Sequence, residues 1–427
     1  MKKTASLPAL IAWCLYDSAS ASFSIVVTTF IFATYFTTSV AANKITGTYQ
    51  WANATALAGL VIALSSPLFG AIADHGGYHK RWLLFFTAMS VLFTALLWFA
   101  YPNQHSVYFM LTCVVLGTIG FEVALVFYNA YLPQLVRKDY LGRMSGWGWG
   151  CGYLGGILAL TIALVFFVRG GTWLDRQTAE QVRICGPFVA VWYSVLALPL
   201  FILVPEIVVT KKPLLTAVRS GCRELLHTIK TLPKEKNIFI YLISHMIYTD
   251  GLNTLFAFGG IYAAGTYGLT FEEVLLFGIT MNIAAGIGAL SLAWVDDYLG
   301  SKPTVIFSLF CLTIVGFPIL LLHDKYLFWM CALVACLFVG PIQSASRSLM
   351  VRLIRDKNTS AEMFGLYALS GRITAFIGPW LLGNITLLFN SQRVGMTTIL
   401  VFFMVGALLL LPVSVQSAYH KQSEHKA

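Results

Sequence analysis

Twelve apolar stretches run along this chain, each of roughly the 20 residues or more that a helix needs to cross a bilayer, and the charges inside them fall on only five. The stretches lie near 8–39, 48–73, 82–101, 106–132, 144–168, 184–204, 237–262, 272–295, 303–322, 326–350, 363–389 and 396–416. Their interior charges are Asp17 on the first, Glu122 on the fourth, Asp250 on the seventh, Arg347 on the tenth and Arg372 on the eleventh, while the third, sixth, ninth and twelfth carry none. A charge in hydrocarbon costs at least about 2.5–3.5 kcal/mol unless it faces protein or water. The charged helices are therefore expected inside a bundle and the uncharged ones against lipid. A period of three that separates cavity-lining from lipid-facing helices is the pattern of a transporter.

Composition agrees with that reading and removes others. A chain with 58% hydrophobic and 11% charged residues is too apolar for a soluble domain. It is expected to be an all-α polytopic membrane protein. The net charge of +10 would suit nucleic acid in a soluble protein, but here the basic residues sort by side. With the N-terminus inside, six of the 28 Lys and Arg fall in outer loops (Lys44, Arg169, Arg176, Arg183, Lys325, Arg393), Arg347 and Arg372 lie within spans, and the other 20 are cytoplasmic. That bias places both termini in the cytoplasm and leaves no need for a nucleic-acid partner. Lys2 and Lys3 before an apolar run imitate a secretory signal, but a run of about thirty residues that contains Asp17 reads as a retained helix. The eight cysteines form no C-x-x-C pair, so neither a disulfide framework nor a metal site is expected.

The longest hydrophilic stretch divides the spans six and six. The expected units are a bundle over 1–204, a basic linker over 205–236 and a second bundle over 237–427 with a short tail. In the linker, Leu214, Leu215, Val218, Leu225, Leu226, Ile229 and Leu232 recur near helical spacing with Arg219, Arg223 and Lys230 between them, which fits an amphipathic helix on the membrane surface as well as a solvated linker. The halves echo each other. Gly70, Asp74, Gly77, Lys80 and Arg81 follow the second span; Ala293, Asp297, Gly300 and Lys302 follow the eighth. Asp74 and Asp297 are 223 residues apart, and the Ser-Gly pairs at 145 and 370 are 225 apart, so the chain reads as a duplicated six-helix unit.

The loop from Gly70 to Arg81 resembles the inner-loop motif of the major facilitator superfamily. Further stretches narrow the resemblance: A-W-C-L-Y-D-S-A-S (12–20), F-Y-N-A-Y-L-P (127–133), Y-T-D-G-L-N-T (248–254), Q-S-A-S-R-S-L-M-V-R-L-I (343–354) and F-G-L-Y-A-L-S-G-R (364–372). Together they are similar to the uncharacterised major-facilitator family related to autophagy-associated vacuolar amino-acid effluxers. Arg372 stands where that family leads one to expect Lys, and Ser18 where an aromatic residue is expected. The resemblance implies a secondary transporter of two pseudo-symmetric six-helix bundles with alternating access. For the eukaryotic relatives it implies export of neutral amino acids from a vacuole, while for bacterial-type members the substrate is generally unassigned; the expected location is a bacterial inner membrane.

Asp17 and Asp250 sit at comparable depths in the first helices of the two halves, about 14 and 20 Å from the inner surface at 1.5 Å per residue. Tyr16 flanks the first; Tyr248 and Asn253 flank the second. Each carboxylate is a candidate proton carrier, or else a cap on broken helix backbone or a permanent partner of a cation. Glu122 and Arg347, 225 residues apart, are expected to face each other across the pseudo-twofold axis, unless Arg347 only snorkels to headgroups. Arg372 suits a substrate carboxylate or phosphate, or neutralises Glu122 or Asp250. Asn129, Gln343 and Ser346 read as interhelical hydrogen-bonding groups more than as site residues. Asp74 and Asp297 are expected to latch the inner face by accepting hydrogen bonds from a helix N-terminus and a nearby Arg. Gly148, Gly152 and Gly156 mark a packing groove. Trp147, Trp149 and Tyr153 read as belt residues before stacking platforms, and His245 as a hydrogen-bonded imidazole before a proton relay.

No nucleotide loop, metalloprotease motif or nucleophile elbow is present in the sequence, so an enzyme is not expected. With three interior acids against two bases, a cation is the expected coupling species, a proton or alternatively sodium. The expected protein is a cofactor-free monomer in a lipid bilayer that carries a small polar or zwitterionic metabolite. A lipid flippase or drug exporter on the same fold is the alternative.

Overall fold

In the computed structural model, residues 5–170, 173–207, 214–269, 271–354, 356 and 359–415 are described. Lys2, Lys3, positions 208–213 of the linker and Gln416 at the end of the expected twelfth span lie outside the described residues. The first six spans are α1 (Leu7–Ser22, continuing in wider turns to Val40), α2 (Lys44–Gly76), α3 (His79–Leu96), α4 (Val107–Leu135), α5 (Leu141–Ile162) and α6 (Cys185–Leu203). The linker holds α7 (Leu214–Thr231). The second half runs α8 (Lys236–Tyr267), α9 (Phe271–Ser291, extended by Ala293–Leu299), α10 (Ser301–Leu321), α11 (Lys325–Leu353), α12 (Ser360–Arg372), α13 (Ile377–Phe389) and α14 (Gln392–Leu410).

Eleven helices among the described residues are long and apolar enough to cross a membrane. The remaining expected span is α8, whose 32 residues reach about 48 Å. His245, Asp250 and Asn253 lower its hydropathy. The expected span 363–389 differs in kind: it is two helices, α12 and α13, separated by a turn over 373–376. Local chemistry accounts for several ends. Asn43 accepts the Thr46 N–H at 2.9 Å to start α2, and Asp324 accepts the Leu327 N–H at 2.7 Å to start α11. Gly77 ends α2 at φ 69° and Gly300 turns into α10 at φ 96°, backbone that a side chain disfavours.

Within the first half α1 packs on α5 and α6, and α3 on α4; within the second α8 packs on α14, and α11 on α9 and α10. The halves meet mainly through α2 with α12 and α5 with α9, two contacts related by the internal repeat. Glycines permit both. A β-carbon on Gly70 would run into the Ala361 carbonyl, and one on Gly146 into the Ala289 carbonyl and Ala293. The linker helix lies on α2, with Gly221 against Ile72 and Ala217 against Gly76, while Val218, Arg219, Arg223, Leu226, Ile229 and Lys230 face outward. The amphipathic expectation for this segment thus takes a helical form with one face on protein.

Replacing Gly146 with Val is expected to force α5 off α9 at a cost of about 1–3 kcal/mol. Gly59→Ala, where a β-carbon meets nothing within 4 Å, is expected to leave thermal stability in detergent unchanged or higher. Equal melting behaviour of the two variants would refute the close-approach argument.

Candidate functional site

Three layers of polar contacts join the halves. The outermost is a pair of latches at the end that carries both short motif loops. Asp74, 4% exposed, accepts the Ala361 and Glu362 N–H groups at 3.3 and 2.8 Å, and its Oδ1 lies 2.6 Å from His79 Nε2. Those N–H groups open α12, so a carboxylate of the first half caps a helix of the second. The reverse contact is its image. Asp297 accepts the Gly142 and Arg143 N–H groups at 2.7 and 3.1 Å and Arg143 Nε at 2.7 Å, capping α5. Beside it, Asp296 takes hydrogen bonds from Ser301 and Ser348 and faces Arg352 at 3.5 Å.

The basic residues of the same loops do something else. Lys80 Nζ donates to the Val204 carbonyl at 2.6 Å and Lys302 Nζ to the Leu411 carbonyl at 2.7 Å. Each thus caps the C-terminal end of the last span of its own half, where carbonyls lack partners. Arg81 stacks over Tyr78 at 5.1 Å.

The middle layer is one ion pair. Arg347 Nη1 lies 3.1 Å from Asp17 Oδ2, with side chains 4% and 12% exposed. Tyr128 donates to the same carboxylate oxygen at 2.8 Å. Arg347 also donates to Asn129 Oδ1 at 3.3 Å, Ser145 Oγ at 2.9 Å and the Ser145 carbonyl at 2.6 Å, and Ser145 in turn donates to the Ser344 carbonyl. The third layer is the pair Glu122–Arg372, with Arg372 36% and Glu122 16% exposed. On α4 six residues separate Glu122 from Tyr128, so this pair lies about 9 Å farther from the latched end. Tyr153 donates to Gln343 Oε1 between α5 and α11.

Asp250 belongs to the break in the eleventh span. Its Oδ2 accepts the Gly378 N–H at 3.1 Å at the start of α13, it is 3% exposed, and its Oδ1 has no hydrogen-bond partner. Asn253 Nδ2 reaches the Gly371 carbonyl at 3.5 Å, at the end of α12. Arg372 is thus the last residue of one half-helix and Asp250 the cap of the next, the arrangement by which discontinuous helices bring backbone ends to a site.

The family model described as vacuole effluxer Atg22 like matches residues 51–423. The chain belongs to that family. An MFS-type transporter of Bacillus subtilis, YxiO, is 26% identical over 93% of each chain, and the Autophagy-related protein 22 of Coccidioides immitis is 21% identical over 83% of this chain and 68% of that one. Among solved structures, the major facilitator transporter FucP in its outward conformation aligns with TM-score 0.74 at 12% identity, covering 96% and 99% of the two chains. A bacterial homologue of ferroportin, outward-facing, aligns with TM-score 0.70 at 14% identity over 95% and 98%. The Atg22-like chain is therefore a membrane transporter of the major facilitator fold, and not an enzyme.

In this Atg22-like protein the partnering of charges differs from the sequence expectation. Glu122 and Arg347 do not face each other: Arg347 pairs with Asp17 and Glu122 with Arg372. The repeat offset located both residues on equivalent helices but not their side chains, which chose partners at their own depth. Nor does Arg347 snorkel, since it is 3% exposed. Asp17 and Asp250, on the first helices of the two halves, have unlike roles, one holding a cation and one capping a helix. Tyr16 and Tyr248 turn away from the centre, Tyr16 to Thr87 at 2.6 Å and Tyr248 to Ser346 at 2.6 Å. His245 meets Ser370 Oγ at 2.7 Å. Gly148, Gly152 and Gly156 line the face of α5 that packs on α1.

Sequence reasoning missed Trp13, Tyr128, Ser145, Arg143 and Asp296 as contact residues. Tyr128 lay in a motif already noted, but nothing in spacing distinguishes a buried tyrosine that packs from one that donates to a carboxylate.

Asp297→Ala removes two backbone hydrogen bonds and the Arg143 ion pair, and loss of such a cap costs about 0.5–2 kcal/mol. Spin labels on the 70–81 and 293–302 loops should then give a longer and broader distance distribution. An unchanged distribution would show that the latch does not hold this end shut.

Proposed function

We infer that this Atg22-like protein carries a small polar or zwitterionic metabolite, an amino acid or a related compound, by alternating access, with protons as the driving ion. The observation that carries this reading is the stacking of two ion pairs between the halves, one sealed and one open. Asp17–Arg347 is buried toward the latched end, while Arg372 in the next layer keeps a third of its side chain accessible. A substrate arriving from the end opposite the latches meets Arg372 first. Its carboxylate competes with Glu122 for a planar guanidinium able to make two parallel hydrogen bonds. Glu122, once displaced, has lost its cation in a low-dielectric cavity, and a proton restores neutrality. Substrate and proton then enter together.

The release step needs the latches, the Asp17–Arg347 pair and the α2–α12 and α5–α9 contacts to part as a unit, which suits rocking of two rigid bundles. The outward states of the FucP and ferroportin-homologue structures, and the effluxer description of the family, support the same cycle. The Lys and Arg bias supports placing the latched end in the cytoplasm of a bacterial inner membrane. No resident cofactor is invoked, and a monomer suffices for the mechanism.

Two measurements in proteoliposomes test the reading. Loss of a charged hydrogen bond is worth about 1.5–3 kcal/mol, so Arg372→Ala should weaken uptake of a carboxylate-bearing amino acid by roughly 10- to 150-fold. Glu122→Gln should abolish accumulation driven by a pH gradient while substrate exchange continues. Accumulation that persists in Glu122→Gln, or uptake indifferent to Arg372→Ala, overturns the coupling or the anion site respectively.

A further inference from the structure

The surroundings of the Arg347 guanidinium are one-sided. Its centre lies 4.8 Å from the Trp13 ring, 5.7 Å from Tyr128 and 5.7 Å from Trp149, three aromatic faces at cation–π range. Its polar partners are Asp17, Asn129 and Ser145. All six residues belong to the first half. Among the described residues, the second half contributes the cation and none of these ring or hydrogen-bond partners.

This receptor is built independently of its occupant. Trp13 and Tyr128 stack with centroids 4.5 Å apart and planes at 12°, Trp13 Nε1 donates to the Tyr128 carbonyl at 3.2 Å, and the Tyr128 hydroxyl, whose proton is shared with Asp17, lies 3.1 Å from the Trp13 carbonyl. Gly148 forms the floor: a β-carbon there would sit 2.6 Å from Asp17 Oδ2, 2.7 Å from Trp13 and 2.8 Å from Arg347 Nη2. On the third wall the Trp149 indole N–H is buried without a hydrogen-bond partner. A carboxylate, three aromatic faces, three neutral oxygen acceptors and an unused donor make a site for an organic cation. A buried cage that its own chain fills from the opposite bundle must empty when the bundles separate.

We propose that this cage binds the cationic group of the transported substrate, a primary ammonium or a guanidinium, when the latched end opens, and that Arg347 occupies its place while that end is closed. The proposal rests on the alternating-access reading above. It narrows the substrate class to compounds that bear a cation, with Trp149 Nε1 left to donate to an adjacent substrate oxygen. It also gives Arg347 a task beyond sealing. Its return to the cage expels the substrate's cation, so closure and release exclude each other by competition for one site.

Chemical rescue tests it. In purified Arg347→Ala, ethylguanidinium should bind at least about tenfold more tightly than in the native protein, read by calorimetry and by quenching of tryptophan fluorescence. That binding should disappear in Arg347→Ala combined with Asp17→Asn, and fall by a similar factor with Trp149→Leu. In the native protein, small alkylammonium and alkylguanidinium ions on the latched side should inhibit substrate exchange competitively, whereas alkyl carboxylates lacking a cation should not. A folded Arg347→Ala that ignores ethylguanidinium overturns the receptor. Rescue without competition in the native protein reduces the cage to a gate and overturns the substrate assignment. If Arg347→Ala does not fold, Gly148→Ala carries the test, because a β-carbon in the floor should weaken ammonium competition, and unaltered competition refutes the site. Failure of alternating access itself is read separately, as the absence of any change in spin-label distances across the latched end with substrate, and would sink the transport cycle whatever ethylguanidinium does.

Discussion

A charge inside a membrane has no water to fall back on, and in this protein the partner that replaces water repeatedly lies in the other half of the chain. Asp17 holds Arg347, Glu122 holds Arg372, Asp74 caps α12 and Asp297 caps α5. Two bundles that could otherwise slide apart in lipid, which offers no hydrophobic drive for their association, are joined by a few high-energy contacts. Removing one partner from such a pair leaves a buried charge uncompensated. Each contact is therefore costly to break alone, and together they tie the two halves to one another.

The internal repeat explains why the joints come in pairs and why the pairs are not copies. The loop carboxylates and the loop lysines keep their geometry across the duplication: each Asp caps a helix of the opposite bundle, and each Lys caps the last span of its own. These are backbone-directed contacts at helix ends, and helix ends recur wherever the fold recurs. Central residues have diverged. On the first helix of one half Asp17 binds a guanidinium, on that of the other Asp250 caps a half-helix, and the second half breaks its eleventh span where the equivalent fifth span, α5, is unbroken through this depth. Symmetry is retained in the helix-end contacts of the loops and lost among the central charged residues.

Legibility followed the same division. Helix number, the linker, the latch aspartates and the set of interior charges were readable because they depend on length, on spacing and on the cost of burying charge, which are properties of the chain itself. Of the pairings, Arg372 with Glu122 stood among the alternatives that the residues offered, as did a capping role for Asp250, whereas the partner of Arg347 did not. Glu122 and Arg347 have the repeat offset, yet depth along α4 puts Tyr128 and Asn129, not Glu122, at the level of Arg347. Tyr16 and Tyr248 flank interior carboxylates in sequence but point into their own bundles, because adjacent residues on a helix face about 100° apart and residues two apart about 200°. The break at 373–376 is flanked by Gly371 and by Gly378-Pro379, helix-breaking residues that the expected unbroken span read through, and the capping of Gly378 by Asp250 makes it tolerable in a buried place.

The sequence by itself determined that this chain is a membrane-embedded helical bundle, duplicated, with five charged residues turned inward, because hydrocarbon penalises every alternative. Only the tertiary structure decided which charge meets which, that one ion pair is sealed and another accessible, and that Arg347 lies in an aromatic cage made by the opposite half. Those outcomes depend on helix rotation and depth to within a few ångströms, and no periodicity in a linear chain encodes the relative placement of two bundles.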